Sequence, residues 1–236
     1  MSGDKGGMRC ILLVAALLSG TSATAAERNY SVTSFDRVRI DGPYQVVLKT
    51  GVPPFAKASG SQASLDGLTI RTEGRTLIVR AGSGGWGGYP GEGRGPVTIM
   101  VGTHELAAAY INGAGGLVID KVKGLSFDAA LQGPGSIRID NAQVDQMKVG
   151  MSGAGSARLA GKALKLTATV RGTSSFDAEA LAVKDAVIGA EGPALVKASV
   201  SGTAKVDALN LAAVTLAGRP SCTVKTQGSA TVAGCR

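Results

Sequence analysis

The residue best suited to acid–base work occurs once, as His104 in VGTHELAAAY. Histidine changes charge near neutral pH, so it is the first candidate for a general acid or base. No GxSxG elbow accompanies it, and a Ser-His-Asp site built on it has no second support. The expectation is a surface histidine beside a strand. Zinc needs three or four N, S or O ligands, and one histidine with two cysteines that are expected to be bonded is poor material, so no metal and no cofactor are predicted.

The stretch GSGGWG, residues 82–87, matches the dinucleotide pattern GxGxxG in letters alone. That pattern works only between a strand and a helix N-terminus, and the following GYPGEGRGP cannot begin a helix. The same loop carries the single tryptophan, Trp86, with Tyr89 and Arg94 nearby. Aromatic rings beside a guanidinium could stack on a sugar or peptide, so these three are candidate ligand-binding residues.

Two further sets recur at a regular interval. Arg138, Arg158, Asp177 and Lys197 are separated by 20, 19 and 20 residues, and Asp120 and Asp140 by 20. Arg138 and Arg158 are candidate ligand-binding residues. If successive copies stack at the strand spacing of about 4.8 Å, Asp120 and Asp140 would stand about 5 Å apart. Such a carboxylate pair beside a basic residue is the raw material of a calcium site or of a lyase-like site on a polysaccharide, although calcium takes six to eight oxygens. A solvated charge ladder answers the same pattern without catalysis, and the chain is expected not to be an enzyme.

The interval belongs to a repeat. GAGGLVID at Gly113 returns as GPGSIRID at Gly133, GAGSARLA at Gly153, GTSSFDAE at Gly172 and GPALVKAS at Gly192, spaced by 20, 20, 19 and 20. Within each copy the apolar residues alternate, which is the period of a strand. Leu117, Ile137, Ala157, Phe176 and Val196 form one inward column, and Ile119, Ile139, Leu159, Ala178 and Ala198 the next. A second strand follows in each copy, at Phe127–Leu131, Met147–Met151, Leu166–Val170 and Ala186–Ala190, joined to the first by links such as DNAQVDQ. A unit of two short strands cannot bury its own apolar face, so the units must stack. The prediction is all-β: a parallel β-solenoid with rungs of about 20 residues. Residues 35–80 read as longer strand pairs that begin the solenoid and cover its end, and the tail GRPSCTVKTQGSATVAGC reads as a beat shortened to about ten.

Three passages together resemble a known family: FDRVRIDGPYQVVLKTG, VTIMVGTHELAAAYINGAGGLVID and GRPSCTVKTQGSATVAG. They are similar to the GIN domain, also called DUF2807 and described as an autotransporter adhesin head, over residues 32–235, read here as a single domain. The resemblance implies a right-handed parallel β-helix-like scaffold in exported bacterial proteins, with the five repeat glycines as corners, and no catalytic residue. The two C-terminal cysteines and the loop at 82–96 depart from the family's usual pattern.

The N-terminus agrees with export. Lys5 and Arg9 precede the apolar run CILLVAALL and the small-residue stretch SGTSATAA, which reads as a signal peptide over residues 1–25. The run is about half of the ~20 residues that span a bilayer, and no later stretch reaches that length. Removal of this leader takes away two basic residues and one acidic one, lowering the net charge from +8 to +7. The remaining cysteines, Cys222 and Cys235, are an even pair in an oxidising compartment and are expected to form a disulfide. Basic residues are scattered singly with few aromatics between them, which argues against a nucleic-acid partner. The expected partner is a cell-surface glycan or envelope component, met in the periplasm or at the cell surface.

Overall fold

A computed structural model describes residues 26–82 and 96–236. The leader and Trp86, Tyr89 and Arg94 lie outside the described residues. In chain order the strands begin with β1 (Ala26–Tyr30), β2 (Arg37–Asp41), β3 (Gln45–Thr50) and β4 (Phe55–Gly60). A five-residue helix α1 (Gln62–Asp66) follows, with the Ser61 hydroxyl accepting from the Ser64 amide at its start. Then come β5 (Leu68–Glu73), β6 (Thr76–Ala81), β7 (Thr98–Thr103), β8 (Ala108–Asn112) and β9 (Gly116–Ile119). The repeats occupy β10 (Val122–Gln132), β11 (Ser136–Gly153), β12 (Ser156–Gly172) and β13 (Ser175–Glu191). The chain closes with β14 (Leu195–Val200), β15 (Thr203–Asn210), β16 (Ala213–Ala217), β17 (Ser221–Gly228) and β18 (Thr231–Ala233).

The molecule is a parallel β-solenoid of about six turns. Ile137 lies in register with Leu117 on one side and Ala157 on the other, and Phe176 and Val196 continue the column. All five are buried, as are the five residues of the Ile119 column. Alternation explains this: in a strand every second side chain points to the same face, and only stacked rungs can close an apolar interior around those faces.

Each full rung has three sides rather than two. The first carries residues equivalent to 136–139 and the third those equivalent to 146–152. Between them the segment read as a link forms a short second side, in which Val122, Ala142 and Val144 are buried and Lys123 pairs with Gln143 and Gln143 with Lys162. With only two apolar positions per rung, its period is too short to recognise in one copy.

Glycine makes the turn from the third side back to the first. Gly42, Gly113, Gly133, Gly153, Gly172 and Gly192 all have positive φ, between 80° and 118°. At Gly133 a Cβ would come within 3.2 Å of the Gly113 backbone, so both the backbone angle and the close approach of rungs require glycine. Asn210 (φ 64°) and Gly228 (φ 75°) continue this corner, with Leu209 and Asn210 in register with Gln227 and Gly228. The tail therefore does not shorten to ten residues. Its rungs repeat every 18, from Ala190 to Ala208 to Thr226.

The two N-terminal strand pairs differ: β5 and β6 form an antiparallel hairpin, whereas β2 and β3 do not pair with each other. β2 and β3 are two sides of one rung joined at the Gly42 corner, and that rung is sandwiched between the β6/β7 rung and the β8/β9 rung. Among the described residues, antiparallel pairing is confined to β5 on β6 and to β1 and β4 beyond β7, which cover this end as expected. Arg28 fastens β1 to α1 through the Leu65 carbonyl (3.0 Å) and the Asp66 carboxylate (2.5 Å). At the other end Cys222 and Cys235 are bonded, with Cα atoms 5.7 Å apart.

Candidate outer binding surfaces

On the first side, residues that alternate with the inward columns face solvent. Ser136, Ser156 and Ser175 are in register and make one outward row, and Arg138, Arg158, Asp177 and Lys197 make the next. All are exposed except the half-buried Asp177. Together with Gln45 and Leu195 they line a shallow cleft of about 500 Å³. The sequence offset thus places Arg138 and Arg158 side by side, one strand spacing apart.

The charges in this cleft are internally matched. Arg138 Nε donates to Asp140 Oδ1 at 2.6 Å, and Arg158 Nε donates across rungs to Asp177 Oδ2 at 3.2 Å. Lys197 lies 3.9 Å from Glu179. The arginine side chains remain 62% and 71% exposed, so water screens these pairs and they contribute little to stability. They hold the guanidinium groups in place while leaving them accessible.

The carboxylates read as a calcium or lyase pair are each engaged by other groups. Asp120 Oδ1 accepts from the Thr50 amide (3.0 Å), the Thr50 hydroxyl (3.3 Å) and the Lys121 amide (2.6 Å), and the same hydroxyl donates to the Lys121 carbonyl at 2.9 Å. Asp120 is a corner clasp between rungs, and Asp140 is the partner of Arg138. Asp185 builds a similar clasp, accepting from the Thr203 hydroxyl (2.6 Å) and amide (3.0 Å). The Thr203 hydroxyl bond is the main influence holding the Asp185 carboxyl below the usual carboxylate range, helped by its amide and by Lys184 and Lys165. Among the described residues no group of three or more His, Cys, Asp or Glu side chains is arranged to hold a metal ion. His104 is exposed, and among the described residues its ring has no hydrogen-bond or ion-pair partner.

A second surface was missed by sequence reasoning. Between β13 and β14 the register jumps from Ala178/Ala198 to Ala182/Ser199, and a trough of about 780 Å³ opens where the corner collapses. Gln143, Lys162, Leu164, Lys184 and Ser201 are among its lining residues. The signal that would have found it is a repeated triplet, Lys123-Gly124-Leu125 and Lys162-Ala163-Leu164, hidden inside segments read as links.

The model of the family "Putative auto-transporter adhesin, head GIN domain" (DUF2807) matches residues 34–220. A search of curated proteins finds no match. Among solved structures, a protein described as a putative adhesin from Bacteroides fragilis superposes with a TM-score of 0.81 at 15% identity, covering 89% of this chain and 97% of its own. One described as a putative adhesin from Parabacteroides distasonis gives 0.65 at 15% identity, covering 89% and 97%. One described as a putative lipid binding protein from the same species gives 0.61 at 15% identity, covering 89% and 96%. At that identity the likeness is one of fold.

Proposed function

Since the chain belongs to the DUF2807 family of adhesin head GIN domains, we propose that it is an exported, non-enzymatic module that binds a glycan or another component of the cell envelope. The observation that carries this reading is the in-register ladder of Ser136, Ser156 and Ser175 beside Arg138, Arg158 and Lys197. Hydroxyl and guanidinium groups repeated at about 4.8 Å suit a polymer that itself repeats hydroxyls and carboxylates. Many weak contacts in register would add along such a ligand, as multivalent binding requires. Export is supported by the leader-like N-terminus, and the absence of a catalytic reading by the engagement of Asp120 and Asp140 in the scaffold.

The test is binding of residues 26–236 to a panel of envelope glycans, acidic polysaccharides and matrix components. A ligand is expected whose binding falls at least about tenfold in Arg138→Ala/Arg158→Ala, the loss of two charge-assisted contacts. Uniform absence of binding, or a ligand indifferent to both arginines, would sink the assignment to this side.

A further inference from the structure

The corner between the second and third sides combines exposed lysines with exposed leucines. Lys123 and Lys162 stand two rungs apart on the second side, with Gln143 between them. Leu125 and Leu164 follow each lysine by two residues and are 79% and 57% exposed. Lys121 precedes the first pair, and Lys184 occupies the same corner one rung beyond Leu164. All four lysines are exposed, and none takes part in an ion pair among the described residues. The acidic groups nearby are Asp120, which precedes Lys121 and whose carboxylate accepts from Thr50 and the Lys121 amide, Asp145, at the corner between the two leucines, and Asp185, whose carboxylate is committed to Thr203. The arginines of the first side are paired with acids; the lysines of this corner form no ion pair, although Lys184 lies near enough to Asp185 to help lower its carboxyl.

Two leucines protruding from an outer corner are costly to keep in water and too far apart to cover one another. Two rungs are about 10 Å, beyond direct contact of side chains. No aromatic ring lies among these residues to stack on a sugar. Lysines whose aliphatic stems flank an apolar side chain can bury the stem while keeping the ammonium at a polar boundary. A planar bilayer with anionic headgroups meets both demands at once: phosphates for the ammonium groups, and acyl-chain boundary for the leucines.

We propose that this corner, built on Lys121, Lys123, Leu125, Lys162, Leu164 and Lys184, docks the solenoid on an anionic membrane surface. The contact is peripheral, because no helix among the described residues is long and apolar enough to cross a membrane. It is a different side from the serine and arginine ladder, so docking leaves that cleft open to another ligand.

The experiment is cosedimentation of residues 26–236, which carry the whole described solenoid, with vesicles of phosphatidylcholine alone and of phosphatidylcholine mixed with phosphatidylglycerol. Binding is expected only to the mixed vesicles and to weaken with salt. Each lysine near an anionic surface multiplies the partition by about fivefold, so Lys123→Gln/Lys162→Gln/Lys184→Gln should lower it about a hundredfold. Leu125→Ser/Leu164→Ser keeps every charge and should lower it by about tenfold or more. The triple Lys148→Gln/Lys205→Gln/Lys225→Gln removes as much charge from the third side and should stay within about threefold of the unaltered protein. All these positions are exposed, so unchanged melting of each variant is the folding control. Equal losses in the two lysine triples, or equal binding to both vesicle types, overturn the proposal. So does an unaffected leucine variant, which would assign the lysines to a soluble acidic polymer, as dextran sulfate binding would then show. Arg138→Ala/Arg158→Ala should bind vesicles normally, so failure here and failure of the glycan reading are separate results.

Discussion

At Gly153 one methyl group would meet the backbone of the rung below. A Cβ there lies 3.1 Å from Gly133 N, Cα and O, and φ is 117°. Gly153→Ala should therefore cost about 1–3 kcal/mol in urea denaturation, the usual cost of a forced backbone conformation. Gly150 is three residues away, and its Cβ would meet nothing within 4 Å. Gly150→Ala should be neutral or stabilise by up to about 1 kcal/mol, since glycine inside a strand is entropically poor. Equal effects at the two positions would refute the stacked-corner account. These corner glycines were legible from their spacing, but Asn210 was not, because asparagine tolerates the same left-handed angle and breaks the pattern of letters. Asp185 and Asp66 make a second, pH-dependent prediction. The Arg28 side-chain bond holds the Asp66 carboxyl low, as the Thr203 bond does for Asp185. A depressed carboxyl adds stability that is fully present above its unfolded pKa, about 4, and is lost as pH falls through the folded value. The melting temperature should decline on acidification below about pH 4, and Asp185→Asn, which can still accept from Thr203, should flatten part of that decline. A parallel decline in the variant would remove Asp185 from the account.

The elements differ in how much of them the sequence betrayed. The third side was readable because three apolar positions alternate in it, and the first because its two follow the repeat glycine at a fixed offset; the second side was not, because its two positions sit in a segment that looks like a linker. The arginine column was found correctly by its offset, whereas the partners of Asp120 and Asp140 were not legible, because an offset gives position along a rung and not where a carboxylate turns. Asp120 is drawn to an amide on the neighbouring rung at 3.0 Å. Asp140 is drawn instead to the arginine on its own strand. The last rung shows another limit. Gly218 lies near the Val200 carbonyl at a different corner, so reading it as the next repeat glycine produced the false ten-residue beat. The disulfide ties this rung: Cys222 stacks on Ala204 in an inward column, and Cys235 follows β18. Closing so short a loop is worth about 3 kcal/mol by chain entropy. Reduction, or Cys222→Ser/Cys235→Ser, should raise amide exchange in β17 and β18 far more than in β11 and β12. Uniform deprotection would mean that the bridge supports the whole solenoid.

Across the whole molecule one column of the core narrows toward the C-terminus. One inward column runs Phe127, Met147, Leu166, Ala186, Ala204 and Cys222, and the rungs contract from 20 to 18 residues over the same distance. Side-chain volume and rung circumference fall together, as close packing demands. Because each rung touches only its neighbours, excision of residues 134–153 should leave a shorter folded solenoid, with Gly133 leading into Ala154 and Leu166 resting on Phe127. A cooperative melt and a strand-rich circular dichroism spectrum would verify it; an unfolded product would show that rung identity matters beyond nearest neighbours. The N-terminal threading carries a consequence in time. The rung of β2 and β3 is the first to leave the ribosome but lies inside the stack in space, with β6 and β5 beyond β2, with β7, β4 and β1 beyond β3, and with both of its edges reserved for strands that come later. Assembly cannot proceed by laying each new layer on the last until residues through 119 have appeared. For nearly half its synthesis the chain has no finished edge on which to crystallise its own order, so the early nascent segment stays pliable by topology alone.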